Sequence, residues 1–270
     1  MHHAARRTRR AALGGLLCVL TAALAACGAG PSNGSLATGA QSGNPQTVAS
    51  GSTLDQKVPA TASNAPLVDQ DGRRFTLASL AGKDVVVAPF LTMCQETCPM
   101  TSANMRRAAS DAGQGGDRTV FLEVSVDPAR DTVARMHAYQ AQYGALPTWR
   151  LATGRPAAVT AFWRALGVSL QKVPGEGPVR DWFTGKMLAS SYDVQHQDLV
   201  LIIDTKGRIR WISMGRPDAR GLPLPTTLKR FLNHEGRGNR SHPDAGGASV
   251  WTAKDVDRAL TYVHRLDATS

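Results

Sequence analysis

Cys94 and Cys98 stand four residues apart, directly after the apolar run Val85 to Phe90 and directly before Pro99, and a lone His196 precedes a second apolar run, Leu199 to Ile203. Thiolates are soft ligands that suit Cu(I), and imidazole accepts Cu(I), Cu(II) or Zn(II), so two cysteines and one histidine can carry copper through a redox change. The same two thiols can instead close a disulfide. A cysteine where a strand turns into a helix meets the positive helix end and its unpaired N–H groups, which favour the thiolate that both chemistries need. A spacing of four brings both sulfurs to one side of a helical first turn, whereas many thiol–disulfide exchangers use Cys-x-x-Cys.

The chain has 270 residues, enough to bury a sizeable core without disulfides, so its cysteines are available for chemistry. Arg6, Arg7, Arg9 and Arg10 precede an apolar stretch from Ala11 to Ala26 that contains Cys18 and no acid, the layout of a secretory signal over residues 1–26. Its apolar part is too short and small-sided for a permanent spanning helix. It ends Leu24-Ala25-Ala26-Cys27-Gly28, which resembles the lipobox of bacterial lipoproteins. That resemblance implies lipidation of Cys27 and a chain held on the extracytoplasmic face of the cell membrane. Arg9-Arg10 raises twin-arginine export, but the residues after the pair are small, so the route stays open. Outside the cytoplasm thiols tend to oxidise, and Cys94 and Cys98 are the only cysteines left after Cys27. The net charge is +10, four of it in the first ten residues, with no Lys/Arg run interleaved with aromatics. An anionic head group or an acidic protein patch fits such a balance; a nucleic acid does not.

From residue 27 to 64 the composition is Gly, Ser, Ala, Thr, Asn and Gln with few bulky apolar residues, which reads as a flexible tether. Folded texture begins at Pro66. Leu67-Val68 and Arg74 to Leu77 flank Asp71-Gly72, a hairpin signal at the start of the domain. Val85 to Ala88 reads as a central strand buried on both faces. Pro99 to Ala112 reads as a helix stopped by Gly113, Gly115 and Gly116, and Thr119 to Val126 as a strand. Asp127-Pro128 and Asp131-Thr132 introduce a helix ending at Gly144, with Asp127 as its cap. Trp149 to Ala152 is a short strand and Pro156 to Leu166 a helix with Val159, Phe162, Trp163 and Leu166 on one face. Leu199 to Ile203 and Arg208 to Ser213 form a second hairpin around Asp204 to Gly207, and Leu224 to Leu232 is helical. Residues 236–247 read as a loop and Trp251 to Leu266 as an amphipathic terminal helix. The alternation predicts an α/β fold: a mixed central sheet flanked by helices, with an N-terminal β-hairpin. It divides the chain at 65–234 for the domain and 235–270 for the loop and last helix.

The run Phe90-Leu91-Thr92-Met93-Cys94-Gln95-Glu96-Thr97-Cys98-Pro99 resembles the Cys-x-x-x-Cys-Pro motif of the SCO/SenC copper-chaperone family. Ser125 to Thr132, Trp149 to Gly154, and Asp193-Val194-Gln195-His196 before an apolar strand match further motifs in the same order, so the resemblance spans about Pro66 to Leu232. It implies a thioredoxin-like fold that binds copper, as Cu(I) or Cu(II), through Cys94, Cys98 and His196. It also implies a lipid-anchored monomer that helps assemble the binuclear copper centre of cytochrome c oxidase, with that centre's subunit as partner. Met93 stands where the family commonly has a polar residue or histidine, Gln195 where it often has Asp, and the loop from Pro174 to Ser191 is unusual.

Other residues invite weaker readings. Asp127 is a candidate to orient a ligand from behind, against its role as a helix cap. Met93, Met100 and Met105 read as core packing rather than thioether ligands. His234 and His242 fall in the polar C-terminal loop, and His137 and His264 on helices with nothing paired to them. A metallochaperone is the preferred reading and not an enzyme in the usual sense. The alternative is a thiol–disulfide oxidoreductase that keeps a partner's copper-site cysteines reduced, using a reversible Cys94–Cys98 disulfide; a copper or redox sensor is a third reading. Thioredoxin-type exchangers carry a cis-proline before the strand beside the disulfide, and no proline lies between Val179 and Ile203. The Thr-x-x-Cys spacing of a peroxiredoxin is also missing, since Thr92 stands two residues before Cys94.

Overall fold

The apolar run at Val85 to Ala88 lies inside a strand, Asp84 to Phe90, buried along its whole length, as an uninterrupted β-branched run between two neighbours should be. The structure is a computed structural model that describes residues 48, 50–113, 118–175, 177–189 and 192–268. The expected signal segment 1–26, Cys18, Cys27, the first part of the tether, and the stops at Gly115 and Gly116 lie outside the described residues.

In chain order, β1 (Ser52–Lys57) and the single-turn α1 (Ala60–Ser63) precede the expected hairpin, β2 (Leu67–Asp69) with β3 (Arg74–Phe75). The central strand is β4 (Asp84–Phe90), after which α2 (Cys98–Ala112), β5 (Thr119–Ser125), α3 (Val133–Tyr143), β6 (Trp149–Gly154) and α4 (Pro156–Ala165) alternate. Four short strands follow: β7 (Gln171–Val173), β8 (Val179–Arg180), β9 (Met187–Leu188) and β10 (Asp193–Gln195). The second hairpin is β11 (Leu199–Ile203) with β12 (Arg208–Met214), followed by β13 (Arg216–Pro217), α5 (Thr226–Phe231), α6 (His234–Ser241), β14 (Val250–Trp251) and α7 (Ala253–Ala268).

The main sheet runs β1-β12-β11-β4-β5-β6-β2-β3. Crossovers through α2 and α3 make β4, β5 and β6 parallel, while β11 lies antiparallel on the other side of β4 and β12 antiparallel to β11. The arrangement β5-β4-β11-β12, with α2 joining the first pair, is a thioredoxin-like core. Helices cover both faces. Trp149 of β6 meets Tyr143 of α3 edge-on, whereas Gly154, at the opposite parity of the same strand, brings its backbone against Val159 of α4. The hairpin at 204–207 forms as expected: the Asp204 carboxylate accepts the N–H groups of Lys206 and Arg208, and Gly207 takes a φ of 74° that other residues resist.

Several boundaries differ from the sequence reading. The stretch 27–64, read as a tether, contains β1, which pairs with β12; a polar strand with no core of its own is held there by the open sheet edge. The helix expected from Pro128 begins at Val133, because Asp127 to Asp131 form a turn and Thr132 caps the helix by accepting the Arg135 N–H. Asp127 is therefore not the cap. The stretch 236–247, read as a loop, begins as α6, whose Asn233 cap offsets its glycines. The terminal helix is part of the domain, since Trp251, Val256, Leu260 and Val263 join the main core, so no boundary falls at 235. His264 is not isolated: its Nε2 lies 3.0 Å from Asp84 Oδ2, an ion pair when the imidazole is protonated.

One of the buried carboxylates lies in the middle of the sheet. Glu123 on β5 is wholly buried; its Oε1 accepts the Trp149 indole N–H at 2.8 Å and its Oε2 the Ser102 hydroxyl at 2.7 Å. Burial pushes its carboxyl up to about 8, against those two bonds. Folding therefore holds a proton that the unfolded chain gives up above its ordinary value of 4.5, so this group costs stability as pH rises from there to about 8 and adds no further slope above. Glu123→Gln keeps the Trp149 bond on its amide oxygen, turns the second bond round so that the amide N–H donates to the Ser102 hydroxyl, which can still donate to Tyr139, and removes that cost. Denaturant titration at pH 5 and pH 8 should show the variant close to the parent at pH 5 and more stable by on the order of a few kcal/mol at pH 8. An equal offset at both pH values would refute the assignment.

Candidate metal centre

β4 delivers the chain to the cysteines, and a small set of buried contacts fixes the turn between them. The Asp131 carboxylate, fully buried, accepts the Thr92 N–H at 3.0 Å, the Thr92 hydroxyl at 2.6 Å and the Ser125 hydroxyl at 2.5 Å. Burial raises its carboxyl to about 6 despite these three bonds. The Thr92 carbonyl accepts the Trp182 indole N–H at 2.7 Å, and Arg135 spans Met93 Sδ at 3.4 Å and both oxygens of the buried Asp181 at 2.7 Å. The residues 177–189, where the sequence showed only an unusual loop, thus form a β8–β9 hairpin that braces the cysteine turn.

At the start of α2 the cap residue Thr97 makes no side-chain cap bond; its hydroxyl donates to Asp198 at 3.1 Å instead. Cys94 Sγ takes the vacant place and accepts the Cys98 N–H at 3.3 Å. The first free N–H of the helix therefore points at one of the two sulfurs. Both cysteines are unpaired; Cys94 is half-buried and Cys98 is 1% exposed. Burial pushes the Cys98 thiol well up, and the adjacent Cys94 adds to it.

His196 follows β10, which pairs with β7, and enters β11. Its Nδ1 lies 3.0 Å from the Gln197 carbonyl, a geometry that leaves Nε2 as the ligand atom when Nδ1 carries the proton. A cleft of about 830 Å³ is lined by Cys94, His196, Met93, Tyr192, Asp198 and Arg216 among others. Cys94 and His196 thus share one cleft, whereas Cys98 is buried and does not line it; α2 starts only at Cys98, so Cys94 stands before the helix and not in its first turn as the spacing suggested. Among the described residues no three His, Cys, Asp or Glu side chains stand close enough to hold a metal ion, so a three-ligand site requires local rearrangement.

The remaining sequence candidates take clear places. Asp127 is 2% exposed, and its oxygens are taken by Arg130 and by the Tyr192 hydroxyl at 2.9 Å. Arg130 also stacks 4.2 Å over the Tyr192 ring, so Asp127 shapes the cleft wall. Met93, Met100 and Met105 are buried packing residues, and His137, His234 and His242 are exposed. Sequence reasoning missed Asp198, whose carboxyl is raised by burial and held down by His196. It also missed the anchoring role of Asp131. Both lie within two residues or inside of segments that the motif comparison had already picked out.

The SCO1/SenC family model matches residues 55–220, more than half of the chain. This chain belongs to the SCO1/SenC family. It is 30% identical over 111 residues to the mitochondrial SCO1 homolog 1 of Arabidopsis thaliana, covering 41% of this chain and 33% of that protein. It is also 30% identical over 80 residues to a candidate copper-binding protein of Stutzerimonas stutzeri, covering 29% of this chain and 39% of that one. The match therefore spans well under half the length of either relative. Copper-bound ScoI of Bradyrhizobium japonicum is similar at 27% identity and a TM-score of 0.46, over 62% of this chain and 96% of that chain. The fold assignment rests on the family match and the strand order rather than on that superposition.

Asp131→Ala takes away the acceptor of the buried Thr92 N–H and of the Thr92 and Ser125 hydroxyls, which should cost about 2–3 kcal/mol in unfolding free energy. It should also speed hydrogen exchange at Thr92 and Met93 relative to β5. Unchanged exchange there would show that the carboxylate does not hold the turn.

Proposed function

We propose that this SCO1/SenC chain carries copper as cargo, held by the Cys94 and Cys98 thiolates and the His196 imidazole. The observation that carries the reading is the meeting of Cys94 and His196 in one cleft, with the Cys98 N–H on Cys94 Sγ. The donor set suits the metal: two soft sulfurs favour Cu(I) and an imidazole tolerates Cu(II) as well. The family relation and a relative named for copper binding support it. The cleft is far larger than an ion, so a bound ion stays open to an incoming ligand, and release proceeds by exchange with a recipient's side chains.

The recipient in this reading is the copper-centre subunit of cytochrome c oxidase. The chain works from the extracytoplasmic face of the membrane, tethered through lipidated Cys27. Two free cysteines whose backbone and sulfur touch also favour a second reading, reduction of a partner's copper-site disulfide by the same dithiol.

Copper titration of the reduced protein separates these readings. The first expects one copper per chain, lost in Cys94→Ser and weakened by about tenfold or more in His196→Ala. The second expects no retained copper, a readily cycling disulfide, and reduction of a test disulfide that survives His196→Ala. Because burial raises the Cys98 thiol, copper must displace its proton, and affinity should rise by about tenfold per pH unit for each thiol displaced. A pH-independent affinity between pH 6 and pH 8 would exclude Cys98 as a thiolate ligand.

A further inference from the structure

The family match ends at residue 220, yet the loop between the two cysteines is held by chain that lies beyond it. The Gln95 carbonyl accepts the Asn233 N–H at 3.1 Å, and Gln95 Nε2 donates to the Phe231 carbonyl at 2.8 Å. Asn233 Nδ2 donates to Glu96 Oε1 at 3.2 Å, while Asn233 Oδ1 caps α6 by accepting the Gly236 N–H at 2.7 Å. Gly236 then lies directly on the loop. A Cβ at that position would stand 2.0 Å from the Gln95 carbonyl oxygen and 3.0 Å from the Glu96 Cα, both backbone atoms that have little room to yield.

This contact is anchored from below. Leu224 and Leu232 form a separate small core with Met100 and Ala103 of α2, the helix that Cys98 begins. The segment from α5 to α6 therefore grips the first turns of α2 and the loop at once. Under it, residues 94–97 are half-buried and Cys98 is 1% exposed.

We propose that Asn233 and Gly236 form a latch that holds the Cys94–Cys98 loop closed over Cys98. They are positioning residues: they touch the loop backbone and Glu96, and they set how readily the second thiol becomes available. The proposal deepens the reading in which these thiols carry the chemistry, and it concerns the protein without metal. Either a copper ion or a partner thiol has to reach Cys98, and the latch sets the free energy of the opening that lets it in.

The test is pulsed alkylation of the reduced, metal-free full chain with N-ethylmaleimide, reading Cys94 and Cys98 separately by peptide mass spectrometry. The parent should label Cys94 much faster than Cys98. Gly236→Ala should raise the Cys98 rate by about tenfold or more while leaving Cys94 within about threefold, the pattern of a local rather than a global opening. Gly238→Ala is the control, because it lies on the same helix with nothing within 4 Å of its added Cβ, and it should leave both rates unchanged. Helix propensity alone favours alanine at either site, so a loss confined to position 236 reports the contact. Asn233→Asp keeps the cap, removes the donor to Glu96 and sets two carboxylates together; it should reproduce the Cys98 acceleration, and it decides the question if Gly236→Ala does not fold. Parent-like Cys98 labelling in the folded variants, or equal acceleration by Gly238→Ala, overturns the latch. Because no metal is present, that failure is distinct from a failure to bind copper.

Discussion

The candidate site depends on one buried carboxylate. Asp131 lies on the turn after β5 and gathers Thr92 and Ser125 through three hydrogen bonds, so the ends of two parallel strands and the start of the cysteine turn share one fixed point. A carboxylate with three donors can remain in the core where an unpaired one could not. Beside it the backbone itself turns the chain, the Leu91 carbonyl accepting the Cys94 N–H at 3.2 Å. At the end of that turn the Cys98 N–H donates to Cys94 Sγ, so the sulfur that lines the cleft has a defined place.

The walls of the cleft come from segments remote in sequence, each locked by a different kind of contact. Asp127 holds Arg130 against Tyr192; the Asp181–Arg135 pair and the Trp182 indole hold the β8–β9 hairpin against Thr92 and Met93; Asn233 and Gly236 hold α6 against Gln95 and Glu96. The Arg135 pair is bidentate and nearly enclosed, and Arg135 holds Asp181 down to about 2, so it stays ionised through neutral pH. The cleft is thus shaped by rigid brackets on several sides, while among the described residues the three side chains that would hold an ion do not stand close enough together to do so.

Placing Cys98 at 1% exposure sets a tension between packing and chemistry. A buried thiol resists ionisation, which protects it from adventitious oxidation and also slows metal loading. Cys94 is half-buried and open to the cleft, so the two sulfurs are not equivalent: one lines the cleft and the other is packed in the main core.

Most of the sheet was legible in the sequence. Fully buried strands write themselves as unbroken apolar runs, as at Val85 to Ala88 and Leu199 to Ile203, and helices that end at Gly144 and Gly167 carry their own stops. β1, β7 and β10 were not legible, because short polar strands draw their stability from the neighbour they pair with and leave no periodic signal. α6 was hidden for a similar reason: its glycines argue for a loop, and the contact with Gln95 that accounts for Gly236 lies far away in sequence.

The chain alone determined the donor types, the strand-to-helix setting of Cys94 and Cys98, and the order of motifs that marks the family. Those are properties of local composition and spacing, and they are encoded within a few residues of each other. That His196 reaches the same cleft as Cys94, that Cys98 is buried, and that residues 231–236 bond to the loop between the cysteines were decided only by tertiary structure. Each depends on pairing across more than a hundred residues, where geometry comes from the packing of whole elements and not from any neighbouring side chain.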